Sequence, residues 1–262
     1  MSSNIYLDLT HAFNKGRLRA VICSGQAVVL HKLAIMSKDG DWILKEDSEA
    51  LNHVLDVLAQ KKATYRFGAP LDIAWLEHGW SSHFEFQENG LRIRTDFFTR
   101  PPRISRNMLD ALWKEQESKN PPFVGLSDLA MMKLTNREKD YVVLGELARR
   151  MSSPVQQITF SRSARDLLEL RVAYPEVWKE MLPKRPCLAR ASEGAQALAA
   201  ALDAEKRELI AINEARLDRY AQAATNWAGR WRDLSQGLRG MDLKSAHALI
   251  KTSAEGVLPY AV

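Results

Sequence analysis

Along the chain, the spacing of apolar and polar positions changes character near residue 100. The first hundred or so residues mix strand-like alternation with helical spacing. Residues 17–23 read as a short buried strand ending at Ser24-Gly25, and residues 26–33 suit a helix that starts after that glycine. A short strand follows at 41–44. The acidic cluster 46–49 opens a helix whose apolar positions Leu51, Val54, Leu55 and Leu58 keep helical spacing. The clearest hairpin joins 83–86 to 91–98 through a turn at 87–90, with Asn-Gly as its turn chemistry. Alternation on 91–98 puts Arg92, Arg94 and Asp96 on one face and Leu91, Ile93 and Phe97 on the other.

Pro101-Pro102 ends the sheet region, and helical spacing takes over. Helices are predicted over 106–117, 127–151, 163–182 and 192–233, separated by proline-containing breaks at 120–122, 152–154 and 183–186. From Ser192 onward, Leu198, Leu202, Leu209, Ile212, Leu217, Tyr220, Ala224, Trp227 and Trp231 approximate a stripe. Such a stripe packs on its own domain or presents a surface to a partner chain. The expected fold class is α+β, with a mixed sheet and flanking helices over 1–105 and a mostly helical region over 106–262.

Composition narrows the class. The 262 residues are 46% hydrophobic and 26% charged, as in a globular protein with a full-sized core. Two cysteines, Cys23 and Cys187, cannot build a disulfide framework, which points to a reducing compartment. No apolar run reaches the roughly 18 residues that span a bilayer, and the opening MSSNIYLDLT does not read as a secretory signal. A cytoplasmic protein with no membrane partner is therefore expected. The net charge of +5 permits a nucleic-acid or nucleotide partner without demanding one. Arg92, Arg94, Arg100, Arg103 and Arg106 crowd one stretch whose single acid is Asp96.

Candidate chemistry concentrates in two places. Asp39 and Asp41 stand two residues apart, so on a strand both carboxylates point to one face. Like charges that close repel, which suits a divalent cation, and Mg²⁺ takes carboxylates together with phosphate oxygens. Two solvated aspartates in a turn are the plainer alternative. Asp96, centred in an apolar strand, needs a partner: either the neighbouring arginines or a metal shared with Asp39 and Asp41. Trp75, Trp80 and Phe84 read as core, while Trp42 could flank the site. His78 and His83 lack a third ligand at zinc-like spacing. Neither a Walker-type glycine loop nor a Gly-x-Ser-x-Gly elbow is present.

The order of a glycine turn (Ser24-Gly25), a helix, Asp39-x-Asp41 and a later Asp96 resembles the nucleotidyltransferase superfamily typified by DNA polymerase beta. Residues 125–141 look like the downstream segment of its AbiEii and MenT toxin-type branch, with Lys133, Arg137, Lys139 and Asp140 matching its Lys, Arg and Lys-Asp positions. The turn reads Ser-Gly in place of Gly-Gly, and Ala34, Ile35 and Met36 stand where an arginine is common. The resemblance spans about residues 20–145. It implies a nucleotidyltransferase-like catalytic core over 1–105, with 125–145 completing the active site. It further implies Mg²⁺ (or Mn²⁺) on Asp39, Asp41 and Asp96, with Asp96 also helping to activate the acceptor hydroxyl. Ser24, Gly25, Ser37 and Lys38 would lie along the bound NTP. Lys133 would neutralise the triphosphate, with Arg137 and Lys139 nearby in sequence; on a helix, Lys133, Arg137 and Asp140 share a face and can converge. The implied reaction moves a nucleoside monophosphate from an NTP to RNA, such as a tRNA 3′ end, in a toxin–antitoxin or phage-defence role with an antitoxin protein as partner. The arginines around Asp96, Arg149-Arg150 and Lys184-Arg185 would suit an RNA backbone. Alternatives on the same fold are AMP transfer to a protein hydroxyl, or a non-catalytic module that binds nucleic acid or protein.

Overall fold

A computed structural model describes residues 4–262. The chain is α+β, with a five-stranded mixed sheet and many helices. Contacts group it into two compact units, one of residues up to 124 with 218–262 and one of residues 125–217. The sequence suggested a single helical region from 106 onward, but helix 106–116 and the last helices fold with the sheet instead.

The first unit begins with α1 (Ile5–Phe13), capped by the Asn4 side chain on Tyr6 N. It is followed by β1 (Ala20–Cys23), α2 (Ser24–Leu30), β2 (Asp39–Leu44) and α3 (Ser48–Gln60). Next come β3 (Thr64–Tyr65), α4 (Ile73–Leu76), β4 (Ser82–Glu88), β5 (Leu91–Phe98) and α5 (Arg106–Gln116). The strand order is β1-β2-β5-β4-β3. Every neighbouring pair is antiparallel except β2 and β5, which run parallel. The hairpin lies where the alternation placed it. Its two-residue turn puts Asn89 and Gly90 at φ of 50° and 76°, the left-handed pair that matches the twist of the flanking strands.

One face of the sheet is the core face. Trp42 and Phe97 stack at 5.4 Å between ring centres, and Phe13 and Phe84 meet Phe97 edge-on. Gly40 is required here, because a Cβ on it would run into the Trp42 and Tyr6 rings. Thr95 is also buried on this face, and its hydroxyl finds no hydrogen-bond partner.

Within the same unit, α12 (Thr225–Gly237) and α13 (Leu243–Ala254) build a tryptophan-rich cluster with Trp75, Trp80 and Trp227. Trp75, Trp80 and Phe84 are buried, as expected of core residues; the Trp75 indole donates to Leu258 O (3.1 Å), and the Trp227 indole to Gly68 O (2.8 Å).

The second unit runs through α6 (Leu126–Met132), α7 (Glu138–Arg150), α8 (Pro154–Phe160), α9 (Ala164–Ala173), α10 (Pro175–Met181) and a 3₁₀ segment, Pro186–Glu193. It ends within α11 (Ala195–Ala223). Its core gathers Ile158, Leu167, Trp178, Leu188, Leu198 and Leu202. Three of the long helices expected from spacing are divided. Residues 127–151 break at 133–137, residues 163–182 break before Pro175, and residues 192–233 break at Ala224. The stripe is discontinuous as well: Leu198 and Leu202 are buried, but Ile212 and Leu217 are exposed.

Candidate active site

The face of the sheet opposite the aromatic core is polar, and strand register sets its order. Cys23 pairs with Asp41, Asp41 with Asp96, and Asp96 with His83, so these four residues form a row across β1, β2, β5 and β4. Asp39, Arg94 and Glu85 form the neighbouring row. Because successive strand residues alternate sides, Asp39, Asp41 and Asp96 share this face, and all three are half-buried. Trp42 goes to the other side and is fully buried, its indole donating to Thr10 Oγ1 (2.9 Å), so it does not flank the site.

The turn before α2 approaches the segment that enters β2. Ser24 has φ of 51°, the left-handed conformation in which glycine is more at ease. Gly25 serves a different need from free rotation, since a Cβ there would collide with the Ser37 side chain. The Gln26 amide donates to Ser37 O (3.0 Å) and Asp39 O (3.3 Å), tying α2 to the entry of β2. Ser24, Gly25 and Ser37 are thereby brought together next to Asp39. The Lys38 side chain is exposed, and its carbonyl accepts from the Tyr6 hydroxyl (2.6 Å). Burial raises the Tyr6 pKa above the usual phenol value, and the Asp39 and Asp41 charges raise it further. Tyr6 therefore lies within reach of both carboxylate charges, and no motif in the chain points to it.

Asp96 has partners of its own. Its Oδ1 lies 2.7 Å from His83 Nδ1 and 3.4 Å from Arg66 Nη1. The arginines nearest in sequence do not supply them. Arg92 pairs with Glu85 (2.5 Å), Arg100 with Glu46 (2.8 Å) and Arg106 with Glu46 (2.8 Å). Much of the basic stretch is thus neutralised by acids from other strands and loops. Among the described residues, no three His, Cys, Asp or Glu side chains come together as a metal-holding group. Mg²⁺ is commonly held by one or two carboxylates, with substrate phosphates and water completing its octahedron. The Asp39–Asp41 pair fits that division of ligands. It does not fit a cage made of protein ligands alone.

In the second unit, Lys133, Arg137 and Asp140 do converge, although not on one helix. Lys133 caps α6, Arg137 caps the start of α7, and the intervening loop folds both onto Asp140. Lys133 Nζ lies 3.0 Å from Asp140 Oδ1; Thr135 Oγ1 and Arg137 Nε donate to Oδ2 at 2.6 and 2.7 Å. Burial alone would raise the Asp140 pKa, but the Thr135 hydrogen bond and the Lys133 and Arg137 charges hold it below the usual carboxylate range. Lys139 is exposed on α7.

One arginine of each basic pair expected at an RNA backbone is otherwise engaged. Arg149 pairs with Asp166 and Glu146. Arg185 is buried, donating to Glu205, Ile158 O and Ser161 O.

The chain matches no known protein family, no curated protein and no solved structure.

Proposed function

We propose that the chain is a metal-dependent nucleotidyltransferase that moves a nucleoside monophosphate from an NTP to an acceptor hydroxyl. The observation that carries this reading is the shared face of Asp39 and Asp41, with Asp96 opposite Asp41 on the neighbouring parallel strand. The close contact of the Ser24-Gly25 turn with Ser37, beside Asp39, supports it.

On this reading Asp39 and Asp41 hold Mg²⁺ (or Mn²⁺), which when bound supplies charge neutralisation for the triphosphate and polarises the reacting phosphoryl group. Ser37 and the Ser24-Gly25 backbone then border the phosphates, and Lys38 extends from the same segment into solvent. Asp96 accepts the proton of the acceptor hydroxyl. The role of Lys133 at the triphosphate, with Arg137, Lys139 and Asp140 around it, rests on the motif resemblance. The preferred acceptor is RNA, such as a tRNA 3′ end, in a toxin–antitoxin or phage-defence setting with an antitoxin as partner. A protein hydroxyl is the second acceptor.

One observation favours the non-catalytic alternative: the Asp96 carboxylate is already bonded by His83 and Arg66. The test is incubation of the protein with Mg²⁺, total RNA and each of four α-³²P-labelled NTPs. Label in a tRNA-sized band, lost in Asp39→Ala, is the expected result. Label in protein bands redirects the reading to protein modification. No label with any donor overturns it.

A further inference from the structure

At the start of β4, on the polar face it shares with β5, three side chains form a hydrogen-bonded chain that the nucleotidyltransferase reading leaves unused except for Asp96. Ser81 Oγ lies 3.0 Å from His83 Nε2, and His83 Nδ1 lies 2.7 Å from Asp96 Oδ1. The direction of the chain follows from donor and acceptor capacity. An ionised carboxylate only accepts, so Nδ1 carries the imidazole proton and Nε2 presents its lone pair to the Ser81 hydroxyl. The three residues thus stand as nucleophile, base and orienting acid, the arrangement that activates a serine hydroxyl.

The surroundings hold this chain in place. Ser81 immediately precedes β4 and His83 is its second residue, and their side chains meet on one side of the chain. The segment 66–69 runs alongside, with Arg66 N donating to His83 O (2.8 Å) and Ala69 N to Ser81 O (3.0 Å). Gly68 presses against the imidazole, since a Cβ there would come within 2.6 Å of His83 Cδ2. Arg66 Nη1 reaches the same Asp96 oxygen that binds the imidazole. Ser81, His83 and Asp96 are each half-buried and none is sealed from solvent. The absence of a nucleophile elbow in the sequence does not bear on this chain, because here the serine stands just before β4 and the histidine within it.

We propose that Ser81 is an activated nucleophile for acyl transfer from a carboxylic ester, a second activity beyond nucleotidyl transfer. Ser81 Oγ bonds to the ester carbonyl carbon while its proton passes to His83 Nε2. The carbon–oxygen bond to the alcohol then breaks, and the departing alkoxide takes the proton from His83. Water, losing a proton to His83, attacks the Ser81 ester, and the carboxylic acid leaves as Oγ regains its proton.

A fluorophosphonate probe tests this without knowledge of the natural ester. Ser81 Oγ forms a bond to phosphorus, the P–F bond breaks and fluoride departs. The expected result is a single adduct by intact mass, located at Ser81 by peptide mapping. Labelling should be lost in Ser81→Ala and slowed about 10²-fold in His83→Asn, with the far-ultraviolet circular dichroism and melting temperature of each variant checked beside it. p-Nitrophenyl acetate turnover should fall in parallel. An adduct at another residue, or equal labelling of wild type and a folded Ser81→Ala, overturns the proposal. So does a folded His83→Asn that labels at the wild-type rate.

Discussion

Asp41 and Asp96 face each other across the single parallel junction of the described sheet, one on β2 and the other on β5. Like charges directly opposite on neighbouring strands destabilise a sheet by up to about 1 kcal/mol. Asp41→Asn should therefore leave the fold intact and shift the urea midpoint upward slightly, while removing nucleotidyl transfer. A variant that both keeps transfer and loses stability would contradict the assignment of Asp41.

Gly25 and Ser37 form a second coupled pair. Gly25→Ala forces the Ser37 side chain aside, at a cost of about 1–3 kcal/mol for an overpacked contact. Ser37→Gly removes the atoms it would strike. The double variant should recover most of the stability lost in Gly25→Ala, as read by chemical denaturation in a double-mutant cycle. Additive losses would mean that the contact is not what makes glycine necessary.

How much of this site could be read from the chain depends on the range of the interaction involved. The shared face of Asp39 and Asp41 is legible because strand alternation is local, and the hairpin is legible because Asn-Gly carries its own turn geometry. The same alternation turns Trp42 away from the site although it stands beside Asp41 in the chain, because one step along a strand reverses the side. The Asp96–His83 pair depends on β4 lying next to β5 in register, and the Asp96–Arg66 contact depends on β3 and β4 meeting. The helix expected over 127–151 broke because Thr135 and Arg137 find a better use in binding buried Asp140 than in continuing a turn.

Thr95 offers a stability gain. Its hydroxyl is fully buried on the core face without a hydrogen-bond partner. Replacing such a group by an isosteric methyl recovers the cost of desolvating it, about 1 kcal/mol or more. Thr95→Val should raise the melting temperature by a few degrees, on the scale of about 2–4 °C per kcal/mol for a chain of this size. Scanning calorimetry would show it; an unchanged or lower melting temperature would mean that the hydroxyl is satisfied in solution.

Glu205 anchors the second unit against acid. Burial by itself would raise its pKa, but hydrogen bonding and charge from Arg185, with Arg162 nearby, bring it below the ordinary value. A carboxylate whose folded pKa is depressed stabilises the fold above its unfolded pKa, about 4.3 for Glu, and loses that contribution as pH falls through the folded pKa. Glu205→Gln strands the buried Arg185 and should cost about 3 kcal/mol at neutral pH. Urea unfolding at pH 7 and pH 3.5 should show the variant's deficit shrinking at the lower pH. A deficit independent of pH would remove the charge from the explanation.

The first unit is discontinuous in sequence. Its tryptophans are fastened by the far end of the chain: the Trp75 indole by Leu258 O and the Trp80 indole by Pro259 O and Tyr260 O. During synthesis, the sheet bearing the acidic row therefore emerges long before the residues that close its tryptophan cluster. Residues 125–217 have to pass through the ribosome in between. Until they have, Trp75 and Trp80 lack the carbonyls that accept from their indoles, and the tryptophan cluster of the nascent unit stays open.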